Sequence, residues 1–225
     1  MYTGADDQLI SDILYFSNRP EALDITLLNS LAPVSLLIGS CGVPVAFSYK
    51  LLAYFNWFLF VRTGGPLDVK GAYRSDFDVS MPMDFTAGPA PQPTPAGVGE
   101  NAGVGAGIET WDFQLSGNLL YGFVGLHVGF MEAELLGGAG IAQLKNHCLD
   151  QNSPSALGPG VIDCRIVNAD PTTWDEPKDQ AGIRAGMTLY RRYGELFLTH
   201  YSLNLEAKRR NLREVLMEYR NEIPR

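Results

Sequence analysis

A stripe of three glycines constrains the fold of this chain more than any other feature of its sequence. Gly122, Gly125 and Gly129 recur at steps of three and four residues, on one face of a predicted helix over 118–130. Each glycine inside a helix costs about 1 kcal/mol relative to alanine. We therefore expect something to approach this backbone closely, either a second helix or a ligand. We predict that the helix 45–62 packs there.

The segment 25–61 is apolar, and Lys50 is its only charged residue. It is long enough to span a bilayer, which leaves membrane insertion as an alternative. Pro33, Pro44 and scattered small residues interrupt it, however. Pro44 can open a helix at its first turn, and a helix that is apolar nearly all round is typically buried. We interpret 45–62 as a central, buried helix.

Helical spacing of apolar residues recurs along the chain and predicts a mainly α fold. We expect one compact domain over residues 1–225, with a C-terminal helix at 203–222. A minor β element is predicted near 68–80 and 108–115. The segment 86–107 is rich in alanine, proline and glycine, which predicts a flexible loop. Long loops of this kind are often lids.

Composition and charge disfavour some classes of function. The chain has 46% hydrophobic and 19% charged residues and a net charge of −8, the balance of a globular and acidic protein. Nucleic-acid binding proteins usually carry a basic face. Here the basic cluster 208–213 is interleaved with Glu206, Glu214 and Glu218. A nucleic-acid substrate is therefore disfavoured without being excluded.

The cysteines allow one disulfide bond and no evident zinc site. Cys148 and Cys164 bracket a loop of about 16 residues, and closing it would stabilise the fold by roughly 3 kcal/mol. Such a bond requires an oxidising compartment. The three histidines, at 127, 147 and 200, fall in separate segments without ligand spacing. We expect no bound metal.

Three short blocks carry a family resemblance. Residues 64–70 read Gly-Gly-Pro-Leu-Asp-Val-Lys, residues 117–122 read Gly-Asn-Leu-Leu-Tyr-Gly, and residues 175–180 read Asp-Glu-Pro-Lys-Asp-Gln. In this order they resemble the bacterial polymorphic toxin type 44 family, whose blocks usually read Gly-Gly-Pro-Trp-Asp-x-Lys, Gly-Asn-x-His-Tyr-Gly and Asp-Asp-Pro-x-Asp-Gln. The resemblance covers about residues 55–192.

The resemblance implies an antibacterial effector, delivered by secretion machinery into competing bacteria. It also implies a cognate immunity protein that neutralises the toxin in the producer. One position departs from the family, since Leu120 replaces the usual histidine. His127 is about 10 Å further along the helix axis. If that histidine is catalytic in relatives, this chain is an inert binding or structural module, or works by other residues; if it is structural, nothing follows.

No nucleophile or phosphate-binding motif is present, so the candidates for catalysis are acidic. Glu109 or Asp112 is the predicted general acid, because Trp111 and Phe113 can shelter either carboxyl and desolvation favours its protonated form. Asp68 and Lys70 would share a strand face, with Asp68 as base or stabiliser. An exposed ion pair would explain these two residues equally well.

Further polar residues are candidates for binding the substrate. Asn118 and Tyr121 share a helix face, and Gln180 follows the third block. Asn118 can instead cap its helix, and Tyr121 can bond a buried acceptor. Asp175 and Asp179 flank a helix start, where acidic residues also favour the helix dipole.

Acids without histidine or cysteine suit two chemistries. One is glycoside cleavage by a pair of carboxyls. The other is hydrolysis of RNA with Mg²⁺ or Mn²⁺ held by Asp175 and Asp179. Acidity, the disulfide and the candidate lid favour peptidoglycan glycan strands, cleaved in the periplasm without a cofactor.

Overall fold

The computed structural model describes residues 5–35, 42–69, 80–84, 108–112, 114–144 and 175–222. Within these ranges lie seven helices and two strands: α1 (Ala5–Ser17), α2 (Pro20–Ser35), α3 (Gly42–Val61), β1 (Ser80–Asp84), β2 (Ile108–Asp112), α4 (Gln114–His127), α5 (Glu132–Leu144), α6 (Pro177–Phe197) and α7 (Leu205–Glu218). The fold is mainly α, as the sequence predicts.

The two strands form an antiparallel pair. Ser80 lies opposite Asp112, and Asp84 lies opposite Ile108. The predicted segment 108–115 overlaps β2, but its last two residues, Gln114 and Leu115, belong to α4. The loop 86–107, the pair Cys148 and Cys164, and most of 68–80 lie outside the described residues.

The helices α4 and α6 cross so closely that a side chain larger than that of glycine does not fit where their backbones meet. A Cβ atom at Gly122 would overlap the backbone carbonyl oxygen of Ile183 on α6. Reciprocally, a Cβ atom at Gly186 on α6 would overlap the carbonyl oxygen of Leu119 on α4. The prediction that 45–62 packs on this stripe is wrong, because the closest partner is α6.

The other two glycines of the stripe have different neighbours. Gly125 faces the side chain of Leu135 on α5. Gly129 lies beyond the end of α4 and has a φ of 92°, which glycine adopts without strain. The amides of Gly129 and Phe130 donate to the carbonyls of Leu126 and Gly125 at 3.0 and 3.1 Å. This is a Schellman cap, so α4 ends before the predicted 130.

The main core lies between α1, α4, α6 and α7. Its fully buried side chains include Leu9, Ile13, Leu119, Leu120, Phe123, Phe197 and Leu212. Lys208 is also buried, and its Nζ donates at 3.0 Å to the carbonyls of Thr199 and His200 just beyond the end of α6. Burial lowers the pKa of Lys208.

The helix α3 is not the buried central helix that the sequence predicts. It buries one stripe, Ala46, Ala53, Trp57 and Phe60, while its other faces expose large apolar side chains. The reason is position, because α3 lies at the edge of the described domain and packs mainly on α2. None of the described helices is both long and apolar enough to cross a membrane.

Two adjacent carboxyls join α1 to α7. Arg209 forms a bidentate pair with Asp7 at 2.6 Å. Its Nε lies 3.1 Å from Asp6 Oδ2 without completing a hydrogen bond. Burial, followed by the repulsion of Asp7, raises the pKa of Asp6 from 3.8 to about 6, although Arg209 opposes the shift.

The glycine crossing gives the first prediction. Gly122→Ala and Gly186→Ala should each lower the free energy of unfolding by about 3 kcal/mol, because a backbone carbonyl has to move. Gly125→Ala is the matched control. There the added methyl meets a side chain that can rotate, and a gain of about 1 kcal/mol in helix propensity offsets the contact. Urea unfolding that ranks Gly125→Ala as the worst of the three would contradict this account.

The buried carboxyl of Asp6 gives a pH-dependent prediction. Between pH 4 and 6 the folded protein keeps the proton on Asp6 and the unfolded chain loses it, so this group makes stability fall as the pH rises. Asp6→Asn should therefore stabilise the fold above pH 6, by up to about 3 kcal/mol, and the gain should vanish below about pH 4. Asp24→Asn, at an exposed carboxyl of α2, is the control in thermal melts; equal stabilisation at both ends of the range would refute the assignment.

Candidate active-site cavity

One cavity brings the three sequence blocks together. It has a volume of about 910 Å³ and lies between α3, α4, α5 and the start of α6. Its walls include Asp68 from the first block, Asn118 and Tyr121 from the second, and Asp175 and Asp179 from the third. Residues that are far apart in the sequence thus line one cavity.

A hydrogen bond links the second block to the third across this cavity. The side-chain amide of Asn118 donates to Asp179 Oδ1 at 2.7 Å. Close approach of the helices makes this possible, since a Cβ atom at Gly182 would lie 2.9 Å from Asn118 Cβ. Asn118 does not start its helix, because α4 begins at Gln114, so the predicted capping role is wrong. In the structure its side chain instead orients the carboxylate of Asp179.

The start of α6 holds Asp175 in the cavity wall. Asp175 is buried and its Oδ1 accepts the amide hydrogen of Glu176 at 3.1 Å. The N-cap residue is Glu176, with Pro177 at the first helical position. Gln180, predicted to bind substrate, is buried and donates to the Asp175 carbonyl at 3.1 Å. It is not among the described residues that line the cavity, and it braces the turn instead.

Tyr121 presents a protonated hydroxyl at the cavity. This hydroxyl donates to the carbonyl of Leu135 at 3.0 Å. Burial raises the pKa of Tyr121 to about 12; the neighbouring Trp57 indole opposes the shift and the charge of Asp175 adds to it. Trp57 Nε1 itself completes no hydrogen bond, and the indole ring lies 5.3 Å from the ring of Tyr121. Tyr121 therefore remains a neutral hydroxyl at physiological pH.

Asp68 reaches the cavity from a turn and not from a strand. Its Oδ2 accepts the amide hydrogen of Gly64 at 2.9 Å, which closes the turn after α3. The prediction of a strand face shared with Lys70 is wrong for Asp68, and Lys70 lies outside the described residues. Glu109 and Asp112 lie on β2, but their side chains are also outside the described part.

A polar cluster that the sequence analysis missed forms another wall. The carboxylate of Glu134 accepts hydrogen bonds from Lys50 Nζ at 3.1 Å, from the Met131 amide at 2.7 Å and from the Tyr54 hydroxyl. Burial acts to raise the pKa of Glu134, but these three bonds outweigh it and the pKa is lowered. The sequence did contain a signal for this cluster. Lys50 is the lone charge of a long apolar segment, and a charge in such a segment needs a partner.

Aromatic rings surround this cluster. Tyr54 stacks on Phe130 with ring centroids 5.5 Å apart, and Trp57 lies 5.3 Å from Tyr121 and 5.4 Å from Phe130. The ammonium group of Lys50 lies 4.8 Å from the centre of the Phe130 ring. One side of the cavity is therefore aromatic, and the other carries the carboxylates of the first and third blocks.

Charge in the cavity is mainly negative. The described lining residues include four carboxylates, Asp68, Glu134, Asp175 and Asp179, and one guanidinium, Arg62. No group of three or more His, Cys, Asp or Glu side chains in the described part could hold a metal ion. His127 lies elsewhere, against Tyr190 at 5.9 Å, and burial lowers its pKa.

The departure at position 120 falls outside this cavity. Leu120 is fully buried and is not among the described lining residues, whereas Gly117, Asn118 and Tyr121 of the same helix are. Replacing histidine by leucine here therefore changes the core and removes no described group from the cavity.

The bond between Asn118 and Asp179 gives the third prediction. Asn118→Ala should cost about 1.5–3 kcal/mol, the typical value of a hydrogen bond to a charged group. Asn118→Asp keeps the shape but sets two carboxylates together, so it should cost more at pH 7 and recover towards pH 4. Urea unfolding at both pH values measures this. Wild-type stability of Asn118→Ala would show that the bond contributes nothing.

Comparison with known proteins assigns the family. A family model described as bacterial toxin 44 matches residues 56–192, which is more than half of the chain and contains all three blocks. No curated protein and no solved structure matches the chain. The chain belongs to the bacterial toxin 44 family.

Proposed function

We propose that this chain hydrolyses the glycan strands of peptidoglycan with the carboxylates of its cavity and without a cofactor. The observation that carries the proposal is the meeting of the three blocks in one space. Asp68, Asn118, Tyr121, Asp175 and Asp179 all line the same cavity of about 910 Å³. Acidic and polar side chains that converge in one pocket are a common sign of an active site.

Membership of the family supports the role of a toxin effector. It also suggests delivery to target cells and, in general terms, a cognate immunity protein. We propose further that secretion machinery delivers the chain to the periplasm, where its substrate lies. The net charge of −8 suits a basic immunity partner.

The lining of the cavity favours a sugar over a nucleic acid. Tyr54, Trp57, Phe58 and Phe130 provide apolar ring surface, and the described charges are four acids and one base. RNA carries one negative charge per nucleotide, and proteins that bind it neutralise those charges with lysine and arginine. An acidic cavity repels that backbone, whereas the sugar backbone of a glycan strand is uncharged.

The catalytic roles follow the requirements of glycoside cleavage, in which one carboxyl donates a proton and another acts as base or nucleophile. Glu109 or Asp112 stays our predicted acid, since β2 ends at Asp112 and α4, which lines the cavity, begins at Gln114. Asp68 is the proposed base or stabiliser. Asp179, which Asn118 orients, is a second described carboxylate available for that role.

Binding of the sugar would rest on the neutral groups of the second block. Tyr121 keeps its proton, and its oxygen retains lone pairs that can accept a hydrogen bond from a sugar hydroxyl. Asn118 orients Asp179 through one amide hydrogen, and its carbonyl oxygen can accept a hydrogen bond from a sugar. Gln180 would contribute indirectly, because its side chain donates a hydrogen bond to the backbone carbonyl of Asp175 and holds that residue in place.

A metal-dependent ribonuclease is the second candidate. Asp175 and Asp179 both line the cavity at the start of α6, and carboxylates are the ligands that Mg²⁺ and Mn²⁺ prefer. An inert binding module is the third candidate. It is disfavoured because the position of Leu120 lies in the core and not at the cavity.

The fourth prediction tests these candidates with purified protein. We expect release of soluble muropeptides from murein sacculi with and without EDTA, and no loss of total RNA. Asp179→Asn should reduce the rate at least 100-fold, the usual scale of a lost acid–base group. The new amide oxygen can still accept the hydrogen bond from Asn118, so the fold should persist. Asp68→Asn and the double variant Glu109→Gln, Asp112→Asn should behave alike.

Asp24→Asn is the matched control, because it removes an exposed carboxylate of α2 away from the cavity. In cells, the wild-type chain should arrest growth when directed to the periplasm and not when kept in the cytoplasm. Intact sacculi beside EDTA-sensitive loss of RNA would establish the ribonuclease instead. No activity on either substrate and no growth defect in either compartment would favour the inert module.

A further inference from the structure

The outer face of α3 is an extended apolar surface. We define the α3 surface by six side chains whose exposed fractions range from 37% to 68%: Phe47, Leu51, Leu52, Phe55, Phe58 and Leu59. Phe47, Leu51, Phe55 and Phe58 recur at steps of four, four and three residues, so they lie along one side of the helix. The buried stripe of Ala53, Trp57 and Phe60 lies on the other side.

The size of this surface is that of an interface. A fully buried phenylalanine removes about 150–250 Å² from water; scaled by the exposed fractions, the three phenylalanines alone offer roughly 350 Å². With the leucines and the exposed Val43 and Val45 of the same helix, the total is on the order of 700 Å². A patch on an ordinary monomer reaches about 300–600 Å², and a stable interface uses about 800 Å² on each partner.

The α3 surface is uncharged, which suits a second copy of this acidic chain as its partner. The chain carries a net charge of −8, but α3 contains one charged residue, Lys50, and that side chain is engaged with Glu134. Two copies can therefore meet at this face without bringing like charges together. An acidic protein has no such advantage at an anionic membrane, where surface-binding helices carry lysine and arginine on their polar side.

We propose that the α3 surface is the interface of a homodimer, covered by a second copy of this chain. A two-fold axis would set α3 against its symmetry mate, so that the same patch serves both subunits. Phe58 belongs to this surface and also lines the cavity. The second copy would therefore border the cavity and help to close that side of it.

Sedimentation velocity and light scattering of the full chain test the dimer without reference to activity. At about 50 μM we expect twice the chain mass of 24.6 kDa. Leu51→Glu and Phe55→Glu each set a carboxylate against its own copy across the axis, so they should yield a monomer. Because both side chains are more than half exposed, the melting temperature of the monomeric state should be kept.

Leu203→Glu is the matched control, since Leu203 is equally exposed but lies in the turn before α7; it should remain dimeric. A wild-type monomer at every concentration would overturn the proposal. If that monomer sediments with vesicles of phosphatidylglycerol and phosphatidylethanolamine, and Phe55→Glu does not, a membrane covers the face instead. Protection of the α3 amides from hydrogen exchange in a monomer would assign the cover to another segment of the same chain. None of these results would change the outcome expected in the murein assay.

Discussion

The close crossing of α4 and α6 is the contact on which the rest of the structure depends. Gly122 meets the backbone of α6 and Gly186 meets the backbone of α4, so the two helices approach each other with no side chain between them at these positions. This proximity also shapes the cavity. It brings Asn118 within hydrogen-bond distance of Asp179, and with it the second sequence block against the third. The cost in helix propensity at two interior glycines, about 1 kcal/mol each, is thus offset by the close packing and by the hydrogen bond between Asn118 and Asp179.

A partly buried ion pair between Lys50 and Glu134 holds the opposite wall of the cavity together. Lys50 on α3 joins Glu134 on α5 and Asn29 on α2, within 3.1 Å of each. Three elements thereby meet at one ammonium group. A paired and hydrogen-bonded charge of this kind is costly to break, because removing one partner leaves the other unsatisfied in a region poor in water. It joins α3, which carries Tyr54, to α5 and α2 on the aromatic side of the cavity. Hydrogen bonds therefore brace the cavity on both sides, between Asn118 and Asp179 on one side and between Lys50 and Glu134 on the other.

The α3 helix shows how a cavity and an outer surface can share one element. Its buried stripe ends at Trp57 and Phe60, while Phe58 between them faces both the cavity and solvent. A second copy at this face would shield apolar surface that otherwise favours aggregation. It would also exclude water from one side of the cavity, which strengthens electrostatic interactions within it. The proposed dimer interface and the cavity would then be linked through the ring of Phe58.

Sequence alone determined the mainly α character, the glycine stripe as a site of close approach, and the family, because these depend on periodicity, residue size and short motifs. It also identified Asp68, Asn118, Tyr121, Asp175 and Asp179, which the fold brings to one cavity. Other features only the tertiary structure decided. The helix that fills the groove is α6 and not α3, the α3 helix lies at an edge, and Glu134 belongs to the cavity. Periodicity shows that a helix has an apolar face, but it cannot show which neighbour covers that face. That choice depends on the contacts of the whole chain, as does the partner of a lone charge such as Lys50.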